Sequence, residues 1–396
     1  MDPRRNPYAP GAGSTPPELA GRDDVIERAS IALDRLRVGR ATRSFIYYGL
    51  RGVGKTVLLN KIRLDAEARG LAPVPIEAPE GRSLPGILVP SLRAALLRMS
   101  RGEAIRNTIA QAMKALAGFA KALKLKYQDI EVAIDFETEK GLADTGDLDL
   151  DLADLLLSVG RAAKAHETAI VIFIDEIQYV REPELAALIS ALHRVSQNQL
   201  PATLVAAGLP QLLGQMGKAK SYAERLFEFV KIDKLPAQAA RDALCKPAQG
   251  EGVRFSDDAI HEILNQTSGY PYFLQEWGKH SWDVADASPI EHDDVGRATT
   301  IALAELDASF FRVRFDRLTP TEKRYLRAMA ELGPGPHRSG DISEKLGKKV
   351  TAVAPTRNSL ISKGMIYSLA HGDNDFTVPL FEGYLKRTIP DFMAAL

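Results

Sequence analysis

Apolar positions change their period several times along the chain, and each change marks an element. Between Asp23 and Val38 the residues Val25, Ile26, Ala29, Leu33 and Leu36 fall on one helical face. Ser44 to Tyr48 is a short unbroken run of buried-strand type, and a helix from Lys55 stops near Gly70, a suitable C′ glycine. "PVPIEA" at 73–78 is strand-like but contains prolines, which cannot donate to a ladder, so it is expected at a sheet edge. Residues 84–126 have helical spacing with a break near Arg101–Gly102. From Asp129 the pattern alternates, with Ile130, Val132, Ile134 and Phe136 on one face, which predicts a half-buried strand. A helix capped near Asp147 follows. "AIVIFIDE" at 169–176 is continuously apolar, as a central parallel strand should be. A further helix follows the break at Pro183, and "ATLVAAG" at 202–208 is another buried strand. Strands alternating with helices predict an α/β fold with a parallel sheet.

From Leu235 the chain turns to helices and turns, and near Arg317 its character shifts again. "LTPTEKRYLRAMAELG", "SGDISEKLG" and "VTAVAPTRNSLISKG" predict three helices, and "MIYSLAHGDNDFTV" predicts two strands around a Gly/Asp/Asn turn. Three helices and then a hairpin is the order of a winged helix. The predicted organisation is an extended arm at 1–20, a core at 21–234 with a helical and hairpin insertion at 84–145, a helical lid at 235–315, and a winged-helix domain at 316–396.

Length adds that 396 residues suffice for two or three domains. Lysine plus arginine equals aspartate plus glutamate, 51 each, so global charge names no partner. The single cysteine, Cys245, cannot form an internal disulfide, and a reducing, cytoplasmic setting is expected. The first residues lack the apolar core of a secretory signal, and no window approaches the ~20 apolar residues of a membrane span.

The strongest chemistry is Gly49-Leu50-Arg51-Gly52-Val53-Gly54-Lys55-Thr56, followed by Val57. It fits the P-loop pattern in full, between a strand and a helix. Bare glycines let backbone N–H groups approach phosphate oxygens, and the helix N-terminus favours the same charge. Lys55 is expected on the β- and γ-phosphates of ATP and Thr56 on Mg²⁺. The metal-side acid is Asp175 at the end of "AIVIFIDE", and Glu176 is the candidate to orient and deprotonate the attacking water.

"LAGRDDVIERA", "GLRGVGKT", "IVIFIDEIQ", "LVAAGLPQL" and "SGYPYFLQEWG" occur in the order seen in AAA+ ATPases. The chain most resembles prokaryotic ATPases related to origin-recognition and Cdc6 initiators and to STAND signalling ATPases. The resemblance implies a five-stranded parallel sheet with the P-loop strand central, then a helical lid. It also implies that Gly21 and Arg22 lie along the adenine, that Tyr270 and Pro271 close over the base, and that Arg225 is an arginine finger acting across a subunit interface in a self-associating protein. Two features depart from the family. The strand ending "VAAGLP" has only Ala206, Ala207 and Gly208 at its tip, with Thr203 further back, and no arginine stands beside "GYP". Slow hydrolysis and a nucleotide-switch role are therefore expected.

Charge is segregated locally. Residues 82–126 carry Arg82, Arg93, Arg98, Arg101, Arg106, Lys114, Lys121, Lys124 and Lys126 against Glu103 alone, and 129–154 are strongly acidic. This allows a phosphate-binding surface, matched subunit patches, or plain solvated helix faces. In the C-terminal module Lys348, Lys349, Thr356, Arg357 and Asn358 are the candidates for double-stranded DNA, with Thr351 and Lys363 nearby. The acidic tip "HGDND" opposes that use. Two function classes remain: an ATPase whose nucleotide state controls DNA engagement, and a STAND-like switch whose winged helix binds protein. Seven histidines show no metal-ligand spacing, and Trp277 and Trp282 are expected to serve packing.

Overall fold

The computed structural model describes residues 1–11, 13, 16–99, 106–124, 138–368 and 372–392. The strand expected at 129–137, the basic residues Arg101 and Lys126, and His371 of the acidic tip lie outside the described residues.

The core begins with α1 (Asp23–Arg37), β1 (Ser44–Tyr48), α2 (Lys55–Ala68) and β2 (Ala72–Glu77). It continues with α3 (Leu84–Met99), α4 (Arg106–Leu123), α5 (Leu148–Ala165), β3 (Ile170–Asp175), α6 (Glu182–Gln197) and β4 (Ala202–Gly208). Next come α7 (Leu212–Ala219), α8 (Ala223–Leu226) and β5 (Phe227–Lys231). The five strands form one parallel sheet in the order β2-β3-β4-β1-β5. The proline-containing strand lies at an edge, as its missing donors require. The P-loop strand β1 is interior but one place from the other edge rather than central, because β5 adds beyond it. That strand, "FEFVK", is too short and too mixed to announce itself.

The period-2 alternation of the strands sorts the core into two layers. Phe45, Tyr47, Val171, Phe173, Val205 and Ala207 pack with α1 and α2 on one face. Ile46, Ile170, Ile172, Ile174, Leu204 and Ala206 pack with α3 to α6 on the other. Parallel register brings the carboxyl ends of β1, β3 and β4 to one rim, with Tyr48 opposite Gly208 and Glu77 opposite Asp175. The Asp147 side chain caps α5 by accepting from the amide of Leu150 at 3.1 Å.

The second half adds α9 (Ala237–Gly250), α10 (Asp257–Thr267), α11 (Pro271–Val284), α12 (His292–Leu306) and α13 (Arg312–Asp316), the last two joined by a π-turn at Asp307–Phe311. Then come α14 (Pro320–Glu331), β6 (His337–Arg338), α15 (Ser339–Lys345), α16 (Val350–Ser362), β7 (Ile366–Tyr367), β8 (Asp373–Phe376) and α17 (Phe381–Thr388). The three short strands pair antiparallel in the order β6-β8-β7. Thr319 and Glu322 close a capping box at the start of α14. One apolar cluster runs through these helices, including Phe273, Trp277, Phe311, Tyr325 and Phe381. Both tryptophans pack as expected, with indole N–H groups on Thr299 Oγ1 (2.9 Å) and the Asp2 carbonyl (3.0 Å).

The N-terminal arm is pinned to that cluster. The α-amino group donates to the Ala285 carbonyl, Asn6 donates to the Lys279 carbonyl and to Asp283, and the buried Tyr8 hydroxyl donates to the Leu244 carbonyl. A Cβ on Gly278 would come within 2.7 Å of the Tyr8 ring. Gly278→Ala should therefore unseat the arm at a cost of about 1–3 kcal/mol, read as a lower Tm and new protease cleavage within residues 1–10. A variant as stable and as resistant as the wild type would show that the Tyr8 seat carries no load.

Candidate nucleotide-binding site

The glycine loop leaves β1 and enters α2 through Gly54, whose φ of +89° favours a residue without a side chain. Lys55 is buried, and its ammonium donates to the carbonyls of Gly49 (2.9 Å) and Leu50 (2.7 Å). Burial pushes its pKa down to about 8, against the attraction of Glu176 and Asp175. The loop is also tied from outside. The buried Arg22 guanidinium donates to the carbonyls of Val53 (3.1 Å) and Asp233 (2.6 Å), and the Tyr272 amide donates to the Gly52 carbonyl (3.1 Å).

Asp175 ends β3 directly across from Thr56. Its Oδ2 accepts from Thr56 Oγ1 at 2.6 Å and its Oδ1 from the Glu176 amide at 2.8 Å. Burial raises the Asp175 pKa, and those two hydrogen bonds work against the rise. A hydroxyl and a carboxylate in contact at a helix start form a hard-oxygen pair that suits Mg²⁺. Glu176 sits in the left-handed region, φ +52°. Its carboxylate is held by Gln178 Nε2 and faces Arg51 Nη1 at 3.5 Å.

Gln178 answers the first departure noted in the sequence. Its Oε1 accepts from the Leu209 amide at 3.0 Å, and a Cβ on Gly208 would lie 2.8 Å from that oxygen. The polar group at the tip of β4 is thus supplied by Gln178, in the turn after β3, and bare Gly208 makes room for it. Arg314 answers the second. It lies 44 residues beyond Tyr270 in the chain (314 − 270), yet lines the same cleft as Lys55, Thr56, Asp175 and Glu176. Its guanidinium lies over the Phe310 ring at 4.0 Å and donates to the Phe310 carbonyl. Phe310 in turn stacks on Tyr272 at 4.8 Å. Among the described residues Arg314 forms no salt bridge, and burial, with Arg51 nearby, pushes its pKa down to about 10. Nothing in local spacing could have signalled Arg314, because the π-turn and α13 bring it back to the sheet.

The cleft has a volume of about 700 Å³, the size of a small-molecule site. Arg51, Gly52, Val53, Gly54, Lys55, Thr56, Val57, Arg22 and Pro271 line it. Gly49 and Leu50 contribute through their carbonyls to Lys55. Gly21 is not among its lining residues, and it packs where a Cβ would meet Ala239. Tyr270 is not among them either; it caps α11 and packs edge-on against Phe273. Arg225 is exposed on α8 and does not line the cleft.

In the C-terminal region Lys348, Lys349 and Asn358 are exposed and Thr356 and Arg357 half-buried. Arg357 Nε donates to Oδ1 of the buried Asn374 at 2.5 Å. Lys363 is engaged as well, at 2.8 Å from Glu322. In the segregated charge blocks, Lys114 meets Glu139 at 3.6 Å and Lys220 meets Asp149 at 3.9 Å.

A glycine loop between β1 and α2, an acid pair at the end of β3 and the order β2-β3-β4-β1-β5 define an α/β P-loop NTPase fold of the AAA+ type. Residues 18–206 match the family model described as an AAA ATPase domain, and residues 308–385 match one described as a domain of unknown function. Among solved structures, the Walker-type ATPase of Pyrococcus abyssi is similar at 16% identity over 93% of this chain and 96% of its own, with a TM-score of 0.53. The Aeropyrum pernix Orc1 protein in complex with DNA aligns at 17% identity over 99% and 98% of the two chains, TM-score 0.48. The Thermotoga maritima RuvB Holliday junction branch migration motor aligns at 16% over 95% and 99%, TM-score 0.46. The Pyrococcus likeness supports the fold, and the other two are too distant to add to it. No curated protein matches the sequence.

A phosphate chain beside Lys55 would raise its pKa again, so ligand binding should take up a proton above about pH 8. Affinity is then full below that pH and falls about tenfold per pH unit above it. Calorimetric titration of ATP near ~pH 9, in buffers of different ionisation enthalpy, should register nearly one proton taken up. Equal heats in every buffer would sink this role for Lys55.

Proposed function

We propose that the protein is an ATP-binding, ATP-hydrolysing switch whose nucleotide state controls what its C-terminal region engages. The observation that carries this reading is a cleft lined by the buried Lys55 and the half-buried Arg314 together with the Thr56–Asp175 pair and Glu176. Cations largely withdrawn from water without a carboxylate bonded to them favour a polyanion. Thr56 and Asp175 would hold Mg²⁺, which when bound neutralises phosphate charge. Lys55 and Arg314 would contact the terminal phosphates, and Glu176 would accept the proton of the attacking water. Arg51 and Gln178 both grip the Glu176 carboxylate, which supports slow turnover until that grip is released. ADP would be the retained product. Arg225, exposed on α8, is available to act on a neighbouring copy, and self-association would depend on nucleotide. A reducing, cytoplasmic setting accords with the lone Cys245, and no helix among the described residues is long and apolar enough to cross a membrane.

The C-terminal residues 316–396 are read as a winged helix that engages double-stranded DNA through Lys348, Lys349, Thr356 and Asn358 near or on α16. The second reading, a STAND-like switch with a protein partner, is favoured by two observations. Arg357 is spent on Asn374, and β8 carries Asp373 and Asp375. The core at 21–234 and the lid at 235–315 would move relative to this unit.

Glu176→Gln should bind ATP normally and turn over at least ~100-fold more slowly, and an unchanged rate removes Glu176 from its role. Arg314→Ala should weaken ATP by about tenfold or more and ADP much less. Equal losses for both nucleotides would place Arg314 away from the γ-phosphate. For the partner, fluorescence anisotropy with duplex DNA should give an affinity that falls steeply with salt and drops in Lys349→Ala. No salt-dependent binding with either nucleotide favours the protein-binding reading.

A further inference from the structure

We propose that the lid carries a second metal site, for a zinc-class divalent ion, formed by Glu276, His280 and Glu305. It is independent of the Thr56–Asp175 pair and of the ATPase reading. Glu276 and His280 are four residues apart on α11, so they share one face, and Glu305 reaches them from α12. Their ligand atoms all lie within 4.8 Å of one another.

The spacing fits an ion better than a hydrogen bond. His280 Nε2 lies 3.3 Å from Glu305 Oε2 and 3.7 Å from Glu276 Oε2. A tetrahedral ion with arms of about 2.0–2.1 Å holds its ligand atoms roughly 3.3–3.4 Å apart. His280 is 4% exposed, and its Nε2 is buried without a hydrogen-bond partner although two carboxylates stand within 4 Å. The nitrogen therefore addresses the space between the carboxylates. A buried ring nitrogen left this way is costly unless something occupies that space. Two carboxylates sharing it also repel each other unless a cation intervenes, and Glu276 is itself buried. Lys279 Nζ faces Glu305 at 3.6 Å from the side.

The imidazole nitrogen favours zinc and cobalt over calcium or magnesium. Three protein ligands leave one position for water, and the half-exposed Glu305 gives the ion a route in. The site has a line to the nucleotide cleft. The Glu276 carboxylate is hydrogen-bonded to the Tyr272 hydroxyl. Tyr272 donates its amide to Gly52 and stacks on Phe310. An ion here would fasten α11 to α12 and stiffen the wall that carries Arg314.

The test uses the full chain, stripped with chelator and free of nucleotide, titrated with Zn²⁺ and separately with Co²⁺ as an optical probe. We expect one equivalent bound with micromolar or better affinity, a Tm raised by several degrees, and visible Co²⁺ bands of tetrahedral intensity. Asp175→Asn should retain all three, which separates this site from the metal at Thr56. His280→Ala and the more exposed Glu305→Gln should each lose at least ~100-fold in affinity. Failure of the wild type to bind, or equal binding by Glu305→Gln and His280→Ala, overturns the proposal.

Discussion

An ammonium group removed from water needs a replacement for that water, and at Lys55 the protein supplies only part of it. Two loop carbonyls accept from Nζ, and the nearest carboxylates act on it from a distance. The loop can bend this way because β1 delivers it at the sheet rim and Gly54 accepts a left-handed backbone. The deficit at Lys55 is what a phosphate would fill, and the half-buried Arg314 repeats part of it within the same cleft. Two undersolvated cations facing a hydroxyl–carboxylate pair favour one kind of occupant, an anion that brings its own divalent metal. The geometry of the cleft follows from that electrostatic imbalance more than from its shape.

Much of this was legible in the sequence because it depends on local chemistry. The strands Ser44–Tyr48 and Ala202–Gly208 emerge with the bounds their apolar runs suggest, and "PVPIEA" takes the edge its prolines demand. Thr56 meets Asp175 because a P-loop and an acid-ended apolar strand have few other ways to share a parallel sheet. What was hidden depends on long-range folding. Arg314 belongs to a short helix after a π-turn, with no motif around it. Gln178 was in plain view in "DEIQ", but its role exists only because Gly208 lies beside it in space. The strand β5 was missed since three of its five residues are not fully buried. Tyr270 illustrates the reverse error: a motif places the backbone, while packing against Phe273 decides where the ring goes.

Arg51 is where the parts of the molecule meet. Its guanidinium faces Glu176 at 3.5 Å and donates to the Tyr179 hydroxyl at 2.9 Å, while its amide donates to the Thr377 carbonyl at 3.0 Å. Thr377 also bonds back to Gly364 and Met365, at the end of α16 and the start of β7. One P-loop residue therefore touches the candidate catalytic acid with its side chain and the C-terminal region with its backbone. A conformational change needs a differential contact in each state, and this residue offers one to both sides.

The direction of that coupling follows from charge. Arg51 and Arg314 both line the cleft and repel each other, and Glu176 pairs with Arg51. A polyphosphate would compete with Glu176 for Arg51, freeing the carboxylate for water while drawing Arg314 and its stacked aromatic pair, Phe310 and Tyr272, toward the loop. Loss of the terminal phosphate would weaken the pull on Arg314 first, since no other acid holds it by a direct bond among the described residues. Because Arg314 stands on the segment joining α12 to α14, that release would act on the stretch of chain that connects α12 to the C-terminal helices. The same electrostatic imbalance would then tie the occupancy of the cleft to that stretch of chain.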